Sequence, residues 1–165
     1  MRKLIQILFL LSTSLIMSSC GYQLRGSINI DGLDQVLIAG SSENEIVRLL
    51  QQQLPGSQLV KNTTEEKYPI IRIINIKTSK RQLSVNSSGR ADEYEISKTL
   101  RYQLILPDGT QQTGNLTSNA SYDFNESQMQ GTKEKETIAN DSISRALTRK
   151  LILRLKSALK ATNNQ

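Results

Sequence analysis

The sequence feature that constrains the fold most is a sustained alternation of apolar and polar residues beginning at position 94. The apolar members are Tyr94, Ile96, Leu100, Tyr102, Leu104 and Leu106, and the residues between them include Glu95, Ser97, Thr99, Arg101 and Gln103. A period of two is that of a β-strand, because successive side chains of a strand point to opposite faces. The alternation therefore predicts a strand with one buried face and one polar face.

The segments on either side of this strand predict an antiparallel sheet. A turn sequence precedes the strand at positions 86–89 (Asn-Ser-Ser-Gly), and another follows it at positions 107–110 (Pro-Asp-Gly-Thr). Before the first turn, the isoleucine-rich run from Ile70 to Val85 favours a long strand whose early part is buried on both faces. After the second turn, we expect a strand from Gln111 to Phe124, whose inward residues are Leu116, Ala120, Tyr122 and Phe124.

Two helices are predicted outside this sheet. The first has about 13 residues; Ser42 and Glu45 form a capping-box pattern before it, and Pro55-Gly56 ends it. A short buried strand at 35–39 precedes it, and residues 57–68, which follow it, are polar. The second helix runs from Thr132 for some 28 residues, about 42 Å, with apolar residues at three- and four-residue steps: Ile138, Ala139, Ile143, Ala146, Leu147, Leu151, Leu155, Ala158 and Leu159. These elements favour a single α+β domain with both helices on one face of the sheet.

The N-terminus has the layout of a secretory signal peptide. Arg2 and Lys3 precede an apolar run that is too short for the roughly 20 residues of a membrane-spanning helix. Small residues then lead to the chain's single cysteine, and Met17-Ser18-Ser19-Cys20 resembles the bacterial lipobox. We therefore expect residues 1–19 to be removed and residues 20–165 to form the mature domain. The alternative is an ordinary exported protein in which the cysteine is incidental.

A lipobox implies that Cys20 becomes the new N-terminus and carries a diacylglycerol and an N-acyl chain, typically palmitate. Two or more acyl chains anchor a protein stably where one does not. By resemblance to such lipoproteins, Gly21 in place of an aspartate predicts transfer to the outer membrane, on its periplasmic side.

The composition argues against enzyme chemistry. The chain has no histidine, which removes the histidine-dependent catalytic triads, the usual general base and a common metal ligand. The acidic cluster of Asp92, Glu93 and Glu95 lies where a solvated strand face is expected. We therefore expect no catalytic residue, no metal and no cofactor besides the lipid on Cys20.

The charge balance gives a moderate indication of partners. The net charge is +6, and about +4 remains without Arg2 and Lys3. A basic exported protein favours anionic envelope partners such as lipopolysaccharide, phospholipid or peptidoglycan, and makes nucleic acid an unexpected target.

Two motifs give the chain a resemblance to a known family. The stretch Cys20-Gly21-Tyr22-Gln23-Leu24-Arg25-Gly26 is similar to the start of LptE lipoproteins, and Gly89-Arg90-Ala91-Asp92-Glu93-Tyr94 is similar to a segment that enters a strand in them. The resemblance implies two helices on a four-stranded, mostly antiparallel sheet. It also implies that the protein is a plug inside the β-barrel LptD and assists the assembly of that barrel. Together the two would form the translocon that places lipopolysaccharide in the outer leaflet.

The same resemblance implies lipopolysaccharide binding, for which phosphate groups favour arginine and lysine donors. The candidates are Arg90, Lys80, Arg81 and Lys133; the alternative for each is a solvated surface cation. A second hypothesis for the whole protein is an autonomous envelope lipoprotein that binds peptidoglycan or phospholipid without a barrel partner.

Overall fold

The structure, a computed structural model, describes residues 35–61 and 67–162. In chain order these residues form β1 (Leu37–Ala39), α1 (Glu45–Gln53), β2 (Gln58–Val60), β3 (Ile70–Val85), β4 (Ala91–Ile105), β5 (Gln111–Asp123), a 3₁₀ turn (Glu126–Gln128) and α2 (Met129–Thr162). The predicted signal peptide, the lipidation residue Cys20 and the motif that follows it lie outside the described residues.

Within the described residues the sheet has five strands, in the order β2-β1-β3-β4-β5, so the expected number of four is wrong. The pairs β3–β4 and β4–β5 are antiparallel, as predicted, and are by far the longest. By contrast, β1 is parallel to both of its neighbours, β2 and β3. The segment β1-α1-β2 is therefore a small βαβ unit added to one side of a three-stranded antiparallel sheet.

The strand that the sequence did not predict is β2. Its three residues are largely exposed, so burial imposes no apolar pattern on them. The backbone of β2 pairs with β1, in the register Leu37 to Gln58 and Ala39 to Val60. An edge strand of this kind is formed by main-chain hydrogen bonds rather than by side-chain patterning, and periodicity cannot reveal it.

A bulge explains why neither parity of the isoleucine run in β3 is cleanly apolar. Ile70 and Ile71 are buried, as predicted for the early part. The register then shifts between Ile73, which faces Tyr102, and Asn75, which faces Arg101. The extra residue, Ile74, is 46% exposed. The bulge changes which alternate residues of β3 face the core.

The first helix is capped by a residue other than the predicted one. Asn44 is the N-cap, and its side-chain oxygen accepts a hydrogen bond of 2.9 Å from the backbone N–H of Ile46. The capping box of Ser42 and Glu45 is therefore wrong, because Glu45 is already the first helical residue and asparagine caps as well as serine. The helix has nine residues and ends before Pro55-Gly56, as predicted.

The second helix is longer than predicted, with 34 residues from Met129 to Thr162. Most of the predicted apolar set is buried, but Ile138 is 61% exposed, since its neighbour Ala139 takes the core-facing position. Among the described residues, no helix combines the length and apolar character needed to cross a membrane.

The core lies between the helices and one face of the sheet. It joins Ile46, Val47 and Leu50 of α1 to a stripe of α2 and to the predicted inward face of β4, with members that include Ile96, Leu100, Leu104, Ile143, Leu147, Leu151 and Leu155. A small second cluster of Leu37, Ala39, Ile70 and Ile105 forms on the other face, beside β1. The rest of that other face, along β3 to β5, is mostly polar, as predicted, although β3 also exposes Ile74, Leu83 and Val85.

Candidate functional site

Three chain segments meet at one end of the sheet, which we call the turn end: the β3–β4 turn (86–90), the residues after β5 (124–125) and the first two turns of α2 (129–136). The β3–β4 turn is closed by hydrogen bonds between the backbones of Asn86 and Arg90 and of Gly89 and Asn86. Gly89 has a φ of +76°, a conformation that glycine adopts without strain. The predicted turn is therefore confirmed, and it places Arg90 beside the start of α2.

Lys80 is the centre of a compact polar cluster at this end. Its ammonium lies 2.9 Å from a carboxylate oxygen of Glu136, and it lies over the ring of Tyr94 at 4.7 Å and that of Tyr122 at 5.2 Å. The Tyr122 hydroxyl donates a hydrogen bond of 2.9 Å to the same Glu136 oxygen. The cluster thus joins β3, β4, β5 and α2.

These contacts shift the protonation equilibria of the pair. The hydrogen bond from Lys80 lowers the pKa of Glu136, and the bond from Tyr122 adds to this lowering against the opposing effect of burial. Burial lowers the pKa of Lys80, but its bonds to Tyr122 and Glu136 together outweigh burial, so that the pKa of Lys80 is raised. Both groups therefore stay charged over a wide pH range around neutrality.

We expect Glu136 to make stability depend on pH on the acid side. Because its folded-state pKa is lowered, the stability that it contributes is present above the pKa in the unfolded chain, about 4.3, and is lost as the pH falls through the folded-state pKa. Replacing Glu136 with Gln should narrow the difference in unfolding free energy between pH 7 and pH 3, measured by urea denaturation. Replacing Glu134 with Gln, at an exposed position on the same helix, should leave that difference as it is. An unchanged difference in Glu136→Gln would contradict the assignment.

Beside the Lys80 cluster lies an open hollow of about 520 Å³, which we call the turn-end hollow. Its lining comes from β3, the residue after β5 and the first turns of α2: Lys80, Phe124, Met129, Gln130, Thr132, Lys133 and Glu136. The rings of Phe124 and Tyr94 form a T-shaped pair, with a centroid distance of 5.1 Å and an interplanar angle of 82°. The fold therefore brings two of the predicted binding residues, Lys80 and Lys133, to one hollow.

Arg90 lies against a smaller hollow of about 260 Å³ that shares Phe124 with the first. Its guanidinium is paired with Glu126 at 2.8 Å, and both side chains are mostly exposed. An exposed ion pair of this kind contributes at most about 1 kcal/mol, so Arg90 can exchange Glu126 for an external anion at little cost.

The fourth candidate, Arg81, points to the opposite face of the sheet from its neighbour Lys80, as strand alternation requires. Its guanidinium lies 2.7 Å from Glu95, and the other oxygen of Glu95 accepts a hydrogen bond from Asn119. The structure therefore brings together Lys80, Lys133 and Arg90 at the turn end and leaves Arg81 on the polar sheet face.

Sequence reasoning missed the residues that give the turn end its character, namely Glu136, Phe124 as a hollow wall, and Met129. Glu136 shows the reason for this omission. Its ion pair joins residues 56 positions apart, and no local pattern in the sequence signals such a contact. No group of three or more acidic, cysteine or histidine residues suited to a metal ion occurs within the described ranges.

Comparisons with known proteins agree with this architecture. Residues 28–155 match the family described as "LptE: Lipopolysaccharide-assembly". The chain is 28% identical over 97 residues to the LPS-assembly lipoprotein LptE of Pectobacterium atrosepticum, covering 56% of this chain and 53% of the relative. It is 27% identical over 113 residues to the LptE of Photorhabdus laumondii, covering 67% of this chain and 62% of the relative. The matched regions thus span only 53% and 62% of the length of these two relatives.

Solved structures show the same fold at low sequence identity. The rare lipoprotein B from Shewanella oneidensis matches with a TM-score of 0.65 at 15% identity, over 79% of this chain and 99% of that one. Lipoprotein B from Nitrosomonas europaea matches with a TM-score of 0.63 at 19% identity, over 86% of this chain and 94% of that one. Since the family match spans most of the chain, this protein belongs to the LptE family of lipopolysaccharide-assembly lipoproteins.

Proposed function

We propose that this lipoprotein is a plug in the LptD β-barrel, whose assembly it assists, and that the two form the translocon that inserts lipopolysaccharide into the outer leaflet. In this proposal the chain is anchored through acylated Cys20 on the periplasmic side of the outer membrane, with its domain inside the barrel lumen. Its role is to bind and to occupy space, without catalysis.

The observation that carries this proposal is the polar sheet face of β3, β4 and β5 in a chain of the LptE family. Thr99 and Thr117 share a hydrogen bond of 3.0 Å across two strands of this face, and Arg81, Glu95 and Asn119 form a connected row. The lumen of a large outer-membrane barrel is itself polar. A surface of this kind can exchange water for hydrogen bonds to a lumen wall without burying unpaired groups.

We also propose that the cations of the turn end bind the phosphate groups of lipopolysaccharide. Arg90 and Lys133 are the residues best placed for this, because both are exposed beside hollows that share Phe124. Lys80 contributes positive charge but is already bound to Glu136. Arg81 lies on the other face, so any role for it would concern a separate surface.

The proposal is tested by extracting the outer membrane in mild detergent and capturing the chain through a tag after Gln165. We expect a large β-barrel in a one-to-one ratio, and mass spectrometry should show an acylated Cys20. A Cys20→Ser variant is the matched control for the anchor: mass spectrometry should find no lipid on it.

Capture of the acylated chain alone would contradict the plug and favour an autonomous lipoprotein that binds phospholipid or peptidoglycan. Barrel assembly that stays normal when this protein is depleted would contradict the assembly role.

A further inference from the structure

We propose that the turn-end hollow takes one alkyl chain of a phosphate-bearing lipid, with the phosphate on Lys133. This inference rests on the proposed function and deepens it, because it assigns the hydrocarbon part of the ligand as well as the anion. It places the alkyl chain between Phe124 and Met129.

The size and lining of the hollow suit a hydrocarbon chain. Its volume of about 520 Å³ falls within the range of about 300–1,000 Å³ that is common for small-molecule sites. Phe124 is half-buried and packs against Tyr94, so that it forms an aromatic wall. Met129 is 59% exposed, and its flexible, polarizable side chain can fit ligands of irregular shape.

Several polar atoms of the hollow already have partners within the protein. The Thr132 hydroxyl accepts from the backbone N–H of Asn125 and donates to its carbonyl. The Glu136 carboxylate is bound by Lys80 and Tyr122. Both bonds to Glu136 go to the same oxygen, Oε2, so an alkyl chain that displaced water beside Thr132 and this oxygen would leave neither atom without a partner.

The ammonium of Lys133 differs from these groups in having no partner among the described residues. In the parts of the chain that the structure describes, it has no ion pair and no side-chain hydrogen bond. The hollow thus offers hydrocarbon contact together with an uncommitted cation, and its lining contains two lysines and one glutamate. A simple anion would use only the cation and an uncharged lipid only the hydrocarbon. An alkyl phosphate uses both, and this chemistry is shared by lipopolysaccharide and phospholipid.

The test uses the chain from residue 20 onward with Cys20→Ser, which retains every described residue, and calorimetric titration with butyl, hexyl and octyl phosphate below their micelle concentrations. Each methylene that enters the hollow should strengthen binding about fourfold, equivalent to about 0.8 kcal/mol. Inorganic phosphate should bind more weakly than any of the three. Met129→Glu should abolish the dependence on chain length, whereas Leu153→Glu, at a comparably exposed position on the same helix, should preserve it.

Equal binding of all three alkyl phosphates would overturn the inference, as would a chain-length dependence that survives in Met129→Glu. Displacement of octyl phosphate by lipopolysaccharide or by phosphatidylglycerol vesicles supports it and identifies the source of the chain; displacement by neither overturns it. If lipopolysaccharide binding depends on Arg90 and Lys133 while chain length has no effect, this inference fails and the proposed anion site stands. If lipopolysaccharide does not bind at all, the proposed binding function itself fails.

Discussion

Replacing Leu151 with Ala is expected to lower the free energy of unfolding by about 2–5 kcal/mol. Leu151 is fully buried in α2 and packs in the core between the helices and the sheet. The truncation removes hydrocarbon contacts and leaves a cavity that the surrounding strands and helices can only partly fill. Since small domains are stable by only about 5–15 kcal/mol, urea denaturation followed by circular dichroism should show a clear loss.

The control for this prediction lies two positions further along the same helix. Leu153 is 54% exposed, so Leu153→Ala should change stability by no more than about 0.5 kcal/mol. Because both variants replace leucine with alanine in α2, the change in helix propensity is the same. Equal losses in the two variants would contradict the placement of the core stripe on α2.

The double replacement Arg90→Ser and Lys133→Ser is expected to weaken lipopolysaccharide binding by about tenfold or more for each residue that contacts a phosphate. Hydrogen bonds to charged groups contribute about 1.5–3 kcal/mol, and about 1.4 kcal/mol corresponds to tenfold in affinity. Loss of the exposed Arg90–Glu126 pair should leave the fold intact. The measurement is a titration of purified protein with lipopolysaccharide at fixed salt, with stability checked by urea denaturation.

Arg81→Ser supplies the matched control for this experiment. Arg81 is a strand residue of the same charge, but it faces away from the turn end and is paired with Glu95. We expect lipopolysaccharide affinity to be retained in Arg81→Ser. Unchanged binding in the double variant, or an equal loss in Arg81→Ser, would exclude the turn end as the anion site.

The turn end shows how far sequence reasoning could reach toward a site. The turn at 86–89 and the family motif around Arg90 are visible in the sequence, and the structure places both at the turn end. The hollow itself was not visible, because Phe124, Met129 and Lys80 come from three separate elements. Strand alternation requires Lys80 and Arg81 to face opposite ways, but it does not determine which of them lies beside α2.

The sequence by itself determined the elements whose burial imposes a period: the alternating strand β4, its antiparallel partners, the long helix α2 and the glycine turns between them. Only the tertiary structure decided the edge strand β2, the bulge at Ile74, the Asn44 cap and the pairing of Lys80 with Glu136. The physical reason is that a half-buried element repeats its pattern along the chain, where it can be recognised locally. Main-chain pairing at a sheet edge and ion pairs between distant residues depend on contacts that exist only after the chain has folded.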